Sequence, residues 1–240
     1  MKRIHYIFIA ALLFITYSCE KDLTSEGVSK VTTYVTYDLT GGATLSIAKG
    51  NAFVDPGYKG AEGSKDVTST VKVNGTVNGM KVGMYKLVYS AVNSDGFISS
   101  TERTVFIYDP TAPATDLTGD YSSGVRRVSP AKSFSGFTVS IKKLAPGFFY
   151  VSDFLGGFYD QGYKDANGNL YGPAYAMTGY MQLNSDYTLT LVSSHVSGWG
   201  DSLNKLTNGK YDPATTGLSW DAFYSASDYD FKVTLEKVKK

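Results

Sequence analysis

The tightest constraint on this chain is an apolar alternation of period two. In "GMYKLVYSAV", Tyr85, Leu87, Tyr89 and Ala91 share one face, and Lys86, Val88 and Ser90 share the other. The pattern returns in "YTLTLVSS", where Tyr187, Leu189 and Leu191 oppose Thr188 and Thr190. It returns again in "YDFKVTLEKV", with Phe231, Val233 and Leu235 against Lys232, Thr234 and Glu236. These segments are short, rich in β-branched and aromatic residues, and end at turn signals such as Asn74-Gly75, Ser94-Asp95-Gly96 and Asn184-Ser185-Asp186. Helical heptads are absent, so the expected fold class is all-β.

The N-terminus bears on the compartment. Lys2 and Arg3 precede an unbroken apolar run from Ile7 to Ile15. A spanning helix needs about 20 apolar residues, so residues 1–18 read as a signal peptide rather than an anchor. Ser18-Cys19 follows and looks like a lipobox, although Thr16 departs from the branched aliphatic residue usual at that place. Cys19 is the sole cysteine. It has no disulfide partner, and lipidation would give it a role; ordinary cleavage nearby with an incidental cysteine is the alternative. Residues 19–30 read as a lipidated tether. Its "EKDLTSEG" resembles the short acid-containing export signal of Bacteroidota surface lipoproteins. The resemblance implies a lipid-anchored, surface-exposed place in the outer membrane, with membrane contact through the lipid alone. Loss of residues 1–18 turns the formal charge from +1 to −1. No basic excess is left to hold phosphates, and nucleic-acid binding is not expected.

From Val31 to Asp109 about seven short strands are punctuated by turns, the pattern of an Ig-like sandwich. Phe53, Asp55, Pro56 and Gly57, then Gly83, Tyr85, Tyr89 and Ala91, then Asp95-Gly96 and finally Arg103 and Val105 resemble the bacterial Ig-like, HYR-related domains of surface proteins. Such domains are mostly spacers. Residues 110–116 carry two prolines among small residues when taken with their flanks and read as a linker. Residues 117–240 form a second β unit with 21 aromatics, against 9 in residues 19–116. Its antiparallel strands favour a meander closing into a barrel or a sandwich. Tyr150, Val151, Ser152, Asp153, Gly156, Gly157 and Tyr159, with Tyr211, Asp212, Pro213, Thr215 and Gly217, resemble the C-terminal domain of uncharacterised Bacteroidota surface lipoproteins; Thr216 lengthens the hairpin loop. That resemblance implies a setting among polysaccharide-utilisation genes, beside an outer-membrane transporter complex.

Several chemistries can be weighed on residue type. Asp153 and Asp160 could be a glycosidase pair, which needs two carboxyls roughly 5–10 Å apart. The plainer reading is that Asp153 holds the Gly156-Gly157 turn. His195 is the one histidine after residue 18, and no nucleophile elbow surrounds Ser194 or Ser197. Asp165, Asn167 and Asn169 hint at calcium, but the glycine and acid spacing of a calcium loop is missing, and the segment reads as a hairpin turn. No catalytic residue, metal or cofactor is expected.

The remaining signal is an aromatic and polar mixture suited to sugars, which present flat C–H faces and hydroxyls. Trp199, between two glycines, is the foremost stacking candidate, with Asp201 and Asn204 nearby and Tyr159, Tyr163, Tyr171 and Tyr175 flanking loops. Trp220 alternates with Leu218 and is expected in the core. The expected role is non-catalytic binding of a polysaccharide or oligosaccharide. The alternatives are a structural protein of a surface complex, and a hydrolase.

Overall fold

A computed structural model describes residues 31–224 and 229–239. The signal segment, the tether and Cys19 lie outside the described residues. Strand alternation governs both parts of the described chain. β1 (Val35–Leu39), β2 (Thr44–Ala48), β3 (Tyr58–Glu62), β4 (Lys65–Asp66), β5 (Lys72–Asn74), β6 (Gly83–Val92) and β7 (Ile98–Tyr108) form two sheets, β1-β3-β4 and β2-β7-β6-β5. They enclose Val35, Val67, Val71, Leu87, Tyr89 and Ala91, an Ig-like sandwich. The strand expected across "VTSTVKVNGTV" is shorter than its composition suggests. A 3-10 turn at Thr68–Thr70 interrupts it, and β5 reaches β6 through residues 75–82 rather than through a tight Asn-Gly hairpin.

The D-P-G and R-x-V signatures of this sandwich meet in one place. Arg103 is fully buried and pairs with Asp55, which also accepts the Tyr89 hydroxyl. Its remaining donors reach the carbonyls of Thr40 at 2.8 Å, Gly57 at 3.1 Å and Gly42 at 3.2 Å. A buried charge persists only when paired and hydrogen-bonded in this way.

The second part contains β8 (Gly119–Arg127), β9 (Lys132–Ala145), β10 (Phe148–Val151), β11 (Thr178–Leu183), β12 (Leu189–His195), β13 (Lys205–Asp212), β14 (Gly217–Tyr224) and β15 (Tyr229–Lys237). Their sheet order is β12-β11-β10-β9-β8-β15-β14-β13, all antiparallel. This is an up-and-down ring in which β15 zips onto β8 from Phe231↔Arg127 to Lys237↔Tyr121. β12 and β13 touch through the Thr188↔Lys210 bridge and the Tyr211 N–H donating to Tyr187 O at 2.9 Å. The eight-stranded sheet is thus nearly closed.

Inward positions fill the ring with side chains, as small barrels require: Tyr121 and Val125 of β8, Phe149 and Val151 of β10, Leu218, Trp220 and Ala222 of β14, and Phe231, Val233 and Leu235 of β15. Phe148, on the opposite face of β10, packs outside the ring at 5.3 Å from Phe106 of β7. Met84, Tyr108, Leu144, Tyr180 and Val192 join this contact between the sandwich and the barrel. From Tyr34 onward the described residues form one compact unit.

The two ends of the barrel differ. Connections at residues 146–147, 184–188 and 213–216 are short turns. At the other end residues 152–177 and 196–204 form long excursions, and binding groups concentrate on such loops.

Candidate functional site

The long excursion begins inside the barrel. Asp153 lies two residues past the end of β10 and is fully buried. Its Oδ1 accepts the N–H groups of Leu155 at 2.8 Å and Met177 at 3.0 Å, and its Oδ2 accepts that of Gly157 at 2.7 Å. One carboxylate therefore ties the start of the 152–177 segment to its end. The Gly156 carbonyl accepts Ser123 Oγ–H at 2.6 Å. Gly157, at φ 85°, turns the chain into a π-helical turn at Phe158–Gly162, which a reading of Gly156-Gly157 as a simple turn or bulge misses. Burial, and then the charge of Asp160, push Asp153 up to about 7 against the pull of its three donors. Burial also raises Asp160, whose Oδ1 has no partner among the described residues. Asp153 is thus a structural clasp, with its oxygens committed to the backbone.

The π turn places Tyr159 and Tyr163 at the mouth of the barrel. They meet Arg127, Tyr171, Trp199, Asp201, Tyr224 and Tyr229 around a cavity of about 370 Å³. Three of these residues are the last or first inward positions of their strands. Arg127 follows Tyr121, Ser123 and Val125 on the inner face of β8, Tyr224 ends the inner face of β14, and Tyr229 opens β15. The apolar core stops there and the cavity begins.

Trp199 is 37% exposed and stands among tyrosines, with ring centroids at 4.8 Å from Tyr159, 4.8 Å from Tyr175, 5.7 Å from Tyr171 and 6.0 Å from Tyr224. Most of these contacts are edge-to-face or tilted, the favoured aromatic geometry. Only hydrogen at Gly198 allows Tyr175 this close, because a Cβ there would fall 2.6 Å from its ring. Trp199 and neighbouring tyrosines, expected together as a stacking surface, line a concave wall.

The polar groups are few. Tyr224 donates to Asp201 Oδ2 at 2.7 Å, and burial, together with this bond, raises the Tyr224 phenol. Burial pushes Tyr159 up to about 12, opposed by its hydrogen bond with Arg127. The Arg127 guanidinium, 5% exposed, lies 4.7 Å from the Tyr229 ring centre, 5.2 Å from that of Phe158 and 5.3 Å from that of Tyr163. Its Nε donates to Pro130 O at 3.0 Å.

Of the residues singled out from the sequence, Tyr159, Tyr163, Tyr171, Trp199 and Asp201 converge on the cavity. Tyr159 reaches the loop-rich end, yet it is only 5% exposed, because its ring also closes the top of the core. Tyr175 braces Trp199 from outside the cavity lining. Asn204 also lies off the lining, with its N–H donating to Phe223 O at 3.0 Å. Asp165, in the suspected calcium segment, accepts the N–H groups of Asn167 and Asn169 at 2.8 and 2.9 Å, the geometry of a hairpin turn. Arg127, Tyr224 and Tyr229 were not singled out. The signal for Arg127 was its parity with Tyr121 and Val125.

Sandwich, barrel and cavity together define a two-part, all-β protein. Residues 37–107 match the family model of a bacterial surface protein Ig-like domain, and residues 109–237 match that of a C-terminal domain. The chain is 40% identical to the lipoprotein BT2262 from Bacteroides thetaiotaomicron, over 85% of this chain and 100% of that one, with a TM-score of 0.46. It belongs to the family of that lipoprotein. A likeness to a structure of CBM51-2 in complex with GlcNAc and INT domains from Clostridium perfringens ZmpB covers 52% of this chain and 30% of that one at 15% identity and a TM-score of 0.26, and carries no argument. No curated protein matches the chain. The matches are to a lipoprotein and to Ig-like domains, not to an enzyme family. Among the described residues no helix is long and apolar enough to cross a membrane.

Proposed function

We propose that the protein is a non-catalytic, glycan-binding lipoprotein of the outer membrane, held at the cell surface by a lipid on Cys19 and serving a polysaccharide uptake complex. One observation carries the glycan reading: a concave wall of tyrosines and Trp199 with Arg127 and Asp201 as its charged groups. Aromatic faces suit the C–H faces of a pyranose, and a carboxylate with phenols suits its hydroxyls. At about 370 Å³ the cavity is at the small end of ligand sites and fits one or two sugar units. Pre-packed rings lose little side-chain entropy on binding.

Affinity gel electrophoresis of the protein against a broad polysaccharide panel, with Trp199→Ala alongside, tests this. Trp199 projects from the loop end, so its truncation leaves the barrel core in place. The expected result is retardation on at least one polymer, lost in the variant while its circular dichroism stays that of the parent. Unchanged mobility on every polymer overturns the glycan reading. Retardation that survives Trp199→Ala moves the site elsewhere.

A further inference from the structure

Arg127 is an unusual residue to find where it is. It occupies the last inward position of β8, directly beyond Val125, and is 5% exposed. Buried guanidinium groups are ordinarily neutralised by a carboxylate, as Arg103 is by Asp55 in this same chain. Among the described residues Arg127 has no such ion pair. It is held by three aromatic faces, by one carbonyl and by the Tyr159 phenol. A guanidinium carries five N–H donors in a planar fork and is always charged. Ring faces, one carbonyl and one phenol do not use up the five donors of that fork, and it lines the cavity.

The opposite charge stands on a separate residue of the lining. Asp201 is held through Oδ2 by the Tyr224 hydroxyl. An anionic group is repelled there, and sugar hydroxyls, which donate, are welcomed. The two charges thus give the cavity a direction, acid toward Arg127 and hydroxyls toward Asp201.

Building on the glycan reading, we infer that the cavity recognises a carboxylate-bearing sugar, a hexuronic acid at the end of an acidic glycan, with its carboxylate on the Arg127 fork. Planar carboxylates match the guanidinium in two parallel hydrogen bonds. The aromatic surroundings exclude water and strengthen that pair.

Truncating a buried arginine could unfold the barrel mouth, so the decisive change is made on the ligand. Oligosaccharides from homogalacturonan, alginate, glucuronoxylan and hyaluronan are each titrated calorimetrically into the whole protein, both intact and after reduction of their carboxyls to primary alcohols. The inference expects at least one intact acid to bind, its reduced form to bind about tenfold or more weakly, and the difference to shrink as salt rises. A reduced or neutral sugar that binds as well as its acid overturns the inference and leaves the glycan reading standing. Absence of binding by every sugar in both forms overturns the inference, and the glycan reading falls with it only where the broad polysaccharide panel also shows no retardation.

Discussion

Asp153 and Asp160 show how one residue type serves different ends within a single turn. Asp153 accepts three backbone N–H groups and is fully buried. Asp160 sits close enough to raise it, and both lie above the ordinary carboxylate range. Coupled carboxyls titrate as a pair. At low pH the folded and unfolded chains both hold the protons. As pH rises the unfolded chain releases them first, near the ordinary value, while the folded chain keeps one until about 7. Stability therefore falls between about pH 4 and pH 7 and levels above that window. Asp160→Asn removes the like charge, and it is expected to flatten this slope and to raise stability at pH 8 by on the order of 1–2 kcal/mol. Asp153→Asn is expected to cost about 1–3 kcal/mol instead, because an amide N–H₂ would face a backbone donor. Urea unfolding from pH 4.5 to 8.5 measures both, and a parent whose stability climbs toward pH 7 contradicts the raised pair. The role of Asp153 as holder of the Gly156-Gly157 turn was legible in the sequence, since a short acid before glycines is turn chemistry. Its bond to Met177 was not, because that partner lies at the far end of the excursion.

At the scale of elements, the strands were the legible part. Period two placed Leu87, Tyr89 and Ala91 inward, and likewise Phe231, Val233 and Leu235. Periodicity gives a strand its face and not its partner, so the pairing of β15 with β8, which nearly closes the ring, could not be read from it. The π turn was hidden for a related reason. "FFYVSDFLGGFYDQGY" is rich in aromatics and carries no helical period, and what bends it is tertiary: Asp153 below, and the Phe137 ring of β9 against Gly157 and Gly162. A Cβ at Gly157 would fall 2.6 Å from that of Phe137, on a backbone at φ 85°. Gly157→Ala is accordingly expected to destabilise the barrel by about 1–3 kcal/mol, combining the left-handed penalty with the clash. It should also displace Tyr159 and Tyr163, and with them Trp199. A shift in tryptophan emission together with a lowered urea midpoint is the expected signature; an unchanged midpoint would mean that the turn relaxes freely.

At the scale of the molecule, the inter-part contact lies on the outer wall of the barrel and the cavity inside its long-loop mouth. Phe148 starts β10 beside the 146–147 turn and packs on Phe106 of the sandwich, while the cavity opens among the long connections at the other end. Among the described residues none of the sandwich lines the cavity, so the contact between the two parts leaves the cavity clear. That contact is apolar and closely packed: Phe148 is fully buried, Phe106 is 6% exposed, and a Cβ at Gly147 would fall 2.4 Å from Ala112 of the connecting segment. Such a contact couples the unfolding of the two parts. Phe148→Ala removes the ring at the centre of the contact, and Phe→Ala at buried sites costs about 3–5 kcal/mol. Because Phe148 lies on the outer face of β10, that loss falls on the contact with the sandwich rather than on the barrel interior around Phe149 and Val151. Differential scanning calorimetry is expected to show one transition in the parent and two in Phe148→Ala, with the proposed sugar binding in the cavity retained. A single transition lowered as a whole would instead place Phe148 in the barrel's own stability. Loss of sugar binding would show that the sandwich shapes the cavity through the length of the barrel.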